Sequence, residues 1–442
     1  MHRDLTSTKA DSFDIPSASA LDAIELPRHR WYFFKEAFSP EIVDYAIEHS
    51  RIPPEGLILD PFCGSGTVPL QASLQGYRGH GIEVNPFLAF VARAKLSSAS
   101  NTAFDKALDL ACLGAERGAR SPLEGFSTFS KRRDAERWLF NTRVLRAFEG
   151  ARLAIEHTRG TASSLVRLCL IEAAMATCNA TKDGKCLRYR RDWESLGLGS
   201  QDFIEALNAR ASIVRSDLHS EYTPKGDSKI TTADARSTEL PEAFDLCVTS
   251  PPYLNSFDYT DVYRPELFLG QFVGTMSQLS QLRLRTLRSH VQARWPMPKV
   301  HEYGSLYAES LRLVTERKDR LWDKRIPAMI TAYFEDMEIV LRSLRRRAKP
   351  EASAWIVVST SAYAGVEIPV DLIIADIAGA CGWYLRDLNV LRHLGRVSGQ
   401  QWNELSSKKA SKRPHMRESV VVLNRERPHR KHVSTKHPTR PY

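Results

Sequence analysis

Short aliphatic runs alternate with helical stretches along much of this chain, and one of those runs ends in an unusual turn. Leu57-Ile58-Leu59 leads into Asp60, a Gly64-x-Gly66 turn follows, and Val68 to Gln75 has the pattern of a helix. An unbroken apolar run of this kind predicts a strand buried on both faces, as in a parallel sheet. Leu246 to Val248, Trp355 to Val358 and Ser419 to Leu423 are further strands of this kind, the last of which is expected to close the sheet, and His80 to Val84 is a second strand with an acid at its end. Trp383 to Leu385 with Val390-Leu391 predicts a hairpin. Helices are predicted from Pro40, with Ser39 as cap, and over Phe87 to Leu96, Tyr333 to Arg347 and Val370 to Ala380. In Tyr333 to Arg347, Phe334, Met337, Leu341 and Leu344 share one face, and three arginines sit where cations suit the helix dipole. Strands alternating with helices predict an α/β, doubly wound fold.

Two stretches break that alternation. From about 98 to 228 the chain reads as helical and basic, including Trp138 to Ile155 and Ser163 to Thr177, and from about 254 to 325 a second helical excursion follows. The expected organisation is a flexible arm at 1–27, a core in two parts at 28–97 and 229–424, a helical insertion at 98–228 and a disordered basic tail at 425–442. The loop from Lys408 to Arg417 is polar and basic.

Composition narrows the class. At 442 residues the chain exceeds one ordinary domain, so a core with large insertions is expected. A formal net charge of +10 favours a polyanionic partner. Seven scattered cysteines without a Cys-x-x-Cys pair signal neither a zinc site nor a disulfide framework, and no metal is expected. Met1-His2-Arg3-Asp4 lacks the apolar core of a signal peptide, and Leu165 to Cys178 is too short to span a bilayer. A cytoplasmic, nucleoid-associated protein without membrane contact is therefore expected.

The candidate chemistry lies at strand ends. The glycines of the first turn let a ligand approach the backbone. Glu83, about twenty residues further on, is placed to accept hydrogen bonds from two ribose hydroxyls. The run Leu246 to Val248 delivers Ser250-Pro251-Pro252-Tyr253. A turn-like stretch from Asn179 to Arg191 holds Lys182, Lys185, Arg188, Arg190 and Arg191 with Tyr189; it suits phosphates and stacking, or is simply a solvated face.

Asp60-Pro61-Phe62-Cys63-Gly64-Ser65-Gly66-Thr67 together with Ser250-Pro251-Pro252-Tyr253 resembles the paired motifs of S-adenosylmethionine-dependent DNA amino-methyltransferases. The resemblance covers about residues 29–97 and 229–424 and implies a Rossmann-like class I methyltransferase sheet. It implies S-adenosylmethionine as cofactor, held by Asp60, Pro61, Phe62, Cys63, Gly64, Gly66, Thr67, Glu83 and Asn85, with Asp234 on the adenine amine. It also implies double-stranded DNA as substrate, target recognition by the insertion and a possible cognate restriction or defence nuclease. The helix from Pro40 either closes over the methionine end of the cofactor or only packs. The excursion from about 254 to 325, which holds Arg283, Arg285 and Arg288, either contacts nucleic acid or walls the active site, and Phe257 and Tyr259 add aromatic groups near the base pocket. In this family Ser at the head of the second motif goes mostly with cytosine, and Asp or Asn with adenine, so N4-methylcytosine is favoured and N6-methyladenine is the alternative. The motif order departs from many cytosine-amine enzymes, in which the catalytic motif comes first.

Other readings are weaker. A ring-carbon cytosine enzyme needs a nucleophilic cysteine, usually after proline, and no Pro-Cys pair occurs. An RNA guanine-amine methyltransferase generally begins its catalytic motif with Asp. A catalytically inactive DNA-binding protein is opposed by the intact Asp60, Gly64, Gly66, Glu83, Ser250 and Tyr253.

Overall fold

A computed structural model describes residues 23–131, 136–158, 160–183, 186–240, 242–299, 302–394 and 416–427. Ser39 accepts a hydrogen bond from the Glu41 amide at 3.3 Å and opens α1 (Pro40–Glu48). Two strand–helix units follow: β1 (Leu57–Asp60) with α2 (Thr67–Leu74), then β2 (Arg78–Glu83) with α3 (Pro86–Leu96). Every residue of β1 is buried, as an unbroken aliphatic run requires.

The chain then leaves the sheet for α4 (Asn101–Arg117), α5 (Thr142–Glu156), α6 (Thr161–Ala176), a hairpin of β3 (Ala180–Asp183) and β4 (Cys186–Tyr189), and α7 (Ser200–Leu218). These helices share an apolar core that continues onto α3 through Phe87, Leu88 and Val91. Asp217, 1% exposed, ties the start of the core to α7 by accepting from the Arg28 amide at 2.7 Å and the Trp31 indole at 2.8 Å.

The sheet resumes with β5 (Ser228–Thr232) and β6 (Phe244–Thr249). A second excursion holds α8 (Tyr259–Val262), α9 (Arg264–Leu269), α10 (Met276–Arg285) and α11 (Gly304–Glu316), and ends in α12 (Ile326–Arg347). The chain finishes with β7 (Ala348–Ser359), the small pair β8 (Ser361–Tyr363) and β9 (Val366–Ile368), α13 (Val370–Ala380), β10 (Tyr384–His393) and β11 (Arg417–Asn424).

Seven strands form one sheet in the order β10-β11-β7-β6-β1-β2-β5. From β7 to β5 all neighbours are parallel, whereas β11 is antiparallel to both β7 and β10. Helices between parallel strands make this the expected doubly wound α/β sheet, with a large helical insertion.

Three expectations change. The predicted hairpin at Trp383 to Leu391 is one strand, β10, because β11 supplies backbone partners along its length and two register shifts absorb the polar residues. The run Ser419 to Leu423 does not close the sheet; it lies between β7 and β10. The turn-like stretch before Arg191 is the β3–β4 hairpin. Residues 1–22 of the expected arm, 408–415 of the basic loop and 428–442 of the tail lie outside the described residues.

Candidate active site

Because β5, β2, β1 and β6 are adjacent and parallel, their C-terminal ends reach the same edge of the sheet. Asp234 follows β5, Glu83 ends β2, Asp60 ends β1 and Ser250 follows β6. All four line one cavity at that edge. Leu59 pairs with Cys247 across the sheet, so the two motifs meet directly. Thr249 Oγ1 donates to Asp60 Oδ1 at 2.6 Å, a bond across 189 positions of sequence.

The first turn is held from several sides. Asp60 Oδ1 also accepts from the Phe62 amide at 3.0 Å. Glu83 accepts from the Gly64 amide at 2.8 Å and from the Asn85 amide at 2.7 Å. Burial outweighs these bonds and pushes both carboxyls up to about 7. Buried Lys95 donates to the Tyr32 carbonyl at 3.1 Å and to Ser65 Oγ at 3.3 Å, fixing the middle of the turn. Burial draws this lysine down to about 7.

Of the expected cofactor residues, Asp60, Pro61, Phe62, Cys63, Gly64, Thr67, Glu83, Asn85 and Asp234 line the cavity. Gly66 does not. Its φ is +89°, and a Cβ there would lie 2.7 Å from Ala92 Cβ, so it brings the turn against α3 instead. Asn85 caps α3 through Oδ1, accepting from the Phe87 amide at 3.0 Å. Its buried Nδ2 has no hydrogen-bond partner among the described residues, an unsatisfied donor on the cavity wall. Asp234 is bridged by Arg236, at 2.7 Å, and that guanidinium continues to Asp336 at 3.0 Å.

Among the described residues the lining carries four carboxyl groups, from Glu36, Asp60, Glu83 and Asp234, against the single guanidinium of Arg285. That set suits a cationic ligand rich in donors. S-adenosylmethionine, with its sulfonium, ammonium, ribose hydroxyls and adenine amine, has that chemistry.

In the second motif Ser250 and Pro252 line the cavity, and Pro251 is buried behind them. Tyr253 lies outside this lining, half-buried. Its hydroxyl donates to Glu418 Oε1 at 2.5 Å and lies 3.5 Å from Ser250 Oγ. Glu418 is in turn paired with Arg392 at 2.7 Å.

Several lining groups were not reached from the sequence: Phe34, Glu36, Ala37 and Phe38 before α1, and Thr286 and Leu287 after α10. Nothing local marks them. Tyr259 and Arg285 are different, for the aromatic run after the second motif and the basic excursion pointed to them, and both line the cavity. The loop before α1, rather than the helix from Pro40, supplies most of that wall.

The basic hairpin is divided. Lys182 turns inward: it pairs with buried Glu266, donates to Tyr32 Oη at 2.7 Å and lies 3.9 Å from the Tyr263 ring centre. It is therefore not a free phosphate contact, because a buried carboxylate and two rings claim it. Tyr189 packs on Trp193 with ring centres 5.5 Å apart. Arg190 donates to the Ala176 carbonyl at 2.8 Å. Arg188 is exposed and paired with Asp183 at 2.7 Å, while Arg191 is exposed. Lys185 lies outside the described residues.

A family model described as "RMKL-like, methyltransferase domain" matches residues 28–119, which include the first motif and Glu83. The chain is 27% identical over 432 residues to type II methyltransferase M.BsoBI of Geobacillus stearothermophilus, covering 84% of this chain and 82% of that protein. It is 26% identical over 397 residues to type II methyltransferase M.AvaI of Nostoc sp., covering 83% and 81%. Type II methyltransferase M.MvaI of Kocuria varians aligns at 22% identity over 394 residues, covering 79% and 80%. With a cleft built at adjoining strand ends and both motifs opening into it, the chain is similar to these type II methyltransferases over about four fifths of its length.

Proposed function

We propose that this protein transfers a methyl group to the exocyclic amine of a base rotated out of duplex DNA, with cytosine N4 as acceptor. The observation that carries the reading is the one cavity lined by both Gly64 and Ser250. The type II methyltransferases among its relatives support a DNA substrate. Serine at the head of the second motif supports cytosine.

Bound S-adenosylmethionine supplies an electrophilic methyl on a sulfonium. The chain's own groups prepare the acceptor. A cytosine amine is a poor nucleophile because its lone pair is delocalised into the ring. Ser250 Oγ and the Pro251 carbonyl accept its hydrogens and draw the nitrogen toward tetrahedral geometry. Neither Pro251 nor Pro252 has an N–H, so their turn does not consume its own carbonyls. Tyr253, anchored on Glu418, offers its half-buried ring to the extruded base. Positioning is the main contribution to a displacement at carbon.

The block from 98 to 228 is proposed as the target-recognition region, set between two core parts at 28–97 and 229–424. Its shared core with α3 supports a place beside the cleft. Arg188 and Arg191 are its phosphate candidates, and a cognate restriction or defence nuclease is part of the reading.

Duplex DNA incubated with the protein and labelled cofactor, then digested to nucleosides, should yield N4-methylcytosine. N6-methyladenine would overturn the base assignment but keep the class. Label in transfer RNA and none in DNA would overturn the substrate.

A second expectation concerns pH. Without ligand, Glu83 is protonated below about 7, above its ordinary 4.5. Between those values the native state holds more protons than the unfolded chain, so this group lowers stability as pH rises through the window. Ribose hydroxyls donate to the ionised form. Cofactor affinity should therefore rise with pH, by up to about tenfold per unit, and level off above about 7. Asp60 titrates in the same range, so the separating measurement is calorimetric binding to Glu83→Gln, in which the slope should flatten.

A further inference from the structure

The loop before α1 lies over the glycine turn: a Cβ on Gly64 would come within 2.8 Å of Phe34 Cε1. Glu36 follows two residues later and lines the cavity. We propose that Glu36 binds the ammonium group at the amino-acid end of the cofactor, and that Tyr263 is the positioning residue that aims it. The proposal rests on the reading of the cleft given above and extends it to a residue outside both motifs.

Strand order gives the direction of the ligand. Asp234, Glu83 and Asp60 stand at the ends of successive strands, about 4.8 Å apart per strand. With adenine at Asp234 and ribose at Glu83, the amino-acid end falls at β1, beneath the loop that carries Glu36. The nearby carboxylate of Asp60 already accepts from Thr249 and from the Phe62 amide. Glu36 is less committed. The Tyr263 hydroxyl donates to Oε2, and Oε1 has no side-chain partner among the described residues.

The aim of Glu36 is set from outside the loop. The Tyr263 ring packs on Phe34 with centres 5.4 Å apart, and the Lys182 ammonium lies against the same ring. Lys182 comes from the insertion, so β3 reaches the cofactor wall through one aromatic side chain. Burial raises the Glu36 carboxyl above its ordinary value, and the Tyr263 hydroxyl, the backbone amide of Glu36 and the more distant charges of Lys182 and Lys35 do not reverse this. A cation bound beside it would.

Calorimetry on the full chain with two probes tests the assignment. S-adenosylhomocysteine carries the amino-acid end; 5′-methylthioadenosine keeps adenine and ribose but lacks it. Glu36→Gln is expected to weaken S-adenosylhomocysteine at least about tenfold, the scale of a charged hydrogen bond, and to leave methylthioadenosine unchanged. Retained methylthioadenosine binding also shows that the variant has folded. Tyr263→Phe should weaken only S-adenosylhomocysteine, by less, and add nothing on top of Glu36→Gln. Equal loss of both probes, or loss of neither, overturns the assignment. A wild-type protein that binds neither probe overturns the reading of the cleft, and this proposal with it.

Discussion

Ser250→Ala should lower kcat about 10²- to 10³-fold while changing cofactor affinity by less than about twofold. Ser250 lines the cavity beside the first turn, yet the backbone there is carried by buried β6 and by the Thr249–Asp60 bond, which the substitution leaves in place. What is lost is an acceptor for the amine's hydrogens, needed most as the nitrogen departs from planarity. Single-turnover methylation of duplex DNA, set beside cofactor titration, checks the split. Equal losses in rate and affinity would make Ser250 a cofactor contact and remove it from the transfer step.

Gly66→Ala should destabilise the fold by about 2–4 kcal/mol, combining left-handed backbone strain with overpacking. Its added methyl would meet Ala92 Cβ at 2.7 Å and Ala92 Cα at 2.9 Å, and backbone does not yield as a flexible side-chain end does. Gly76 provides the comparison. Its φ is +86°, close to that of Gly66, but a Cβ there meets nothing within 4 Å. Gly76→Ala should therefore cost only the strain, about 1 kcal/mol. Urea midpoints at unchanged slope measure both. If the two variants are equally unstable, contact with α3 is not what demands glycine at 66.

Much of the catalytic half was legible because its signals are local. The run Leu57 to Leu59, the turn after Asp60, the cap at Ser39 and the face of α12 each depend on residues a few positions apart. Such patterns specify an element wherever it is later placed. Glu83 was reached the same way, since one strand–helix unit fixes its distance from the glycines. The surroundings of Lys182 were not legible, for the opposite reason. A charge in a basic stretch looks solvated until the fold brings buried Glu266 and Tyr263 to it from more than 80 positions away.

The sequence by itself therefore determined the parallel strands, their turns and the residue types at their ends, because backbone propensity, capping and burial periodicity act over one or two helical turns. Only the tertiary structure decided which ends became neighbours, that β11 lies between β7 and β10, and that Glu36, Tyr259 and Arg285 face the same cavity. Those outcomes come from burying several apolar faces at once and from satisfying distant polar groups, and no short window of sequence contains both partners.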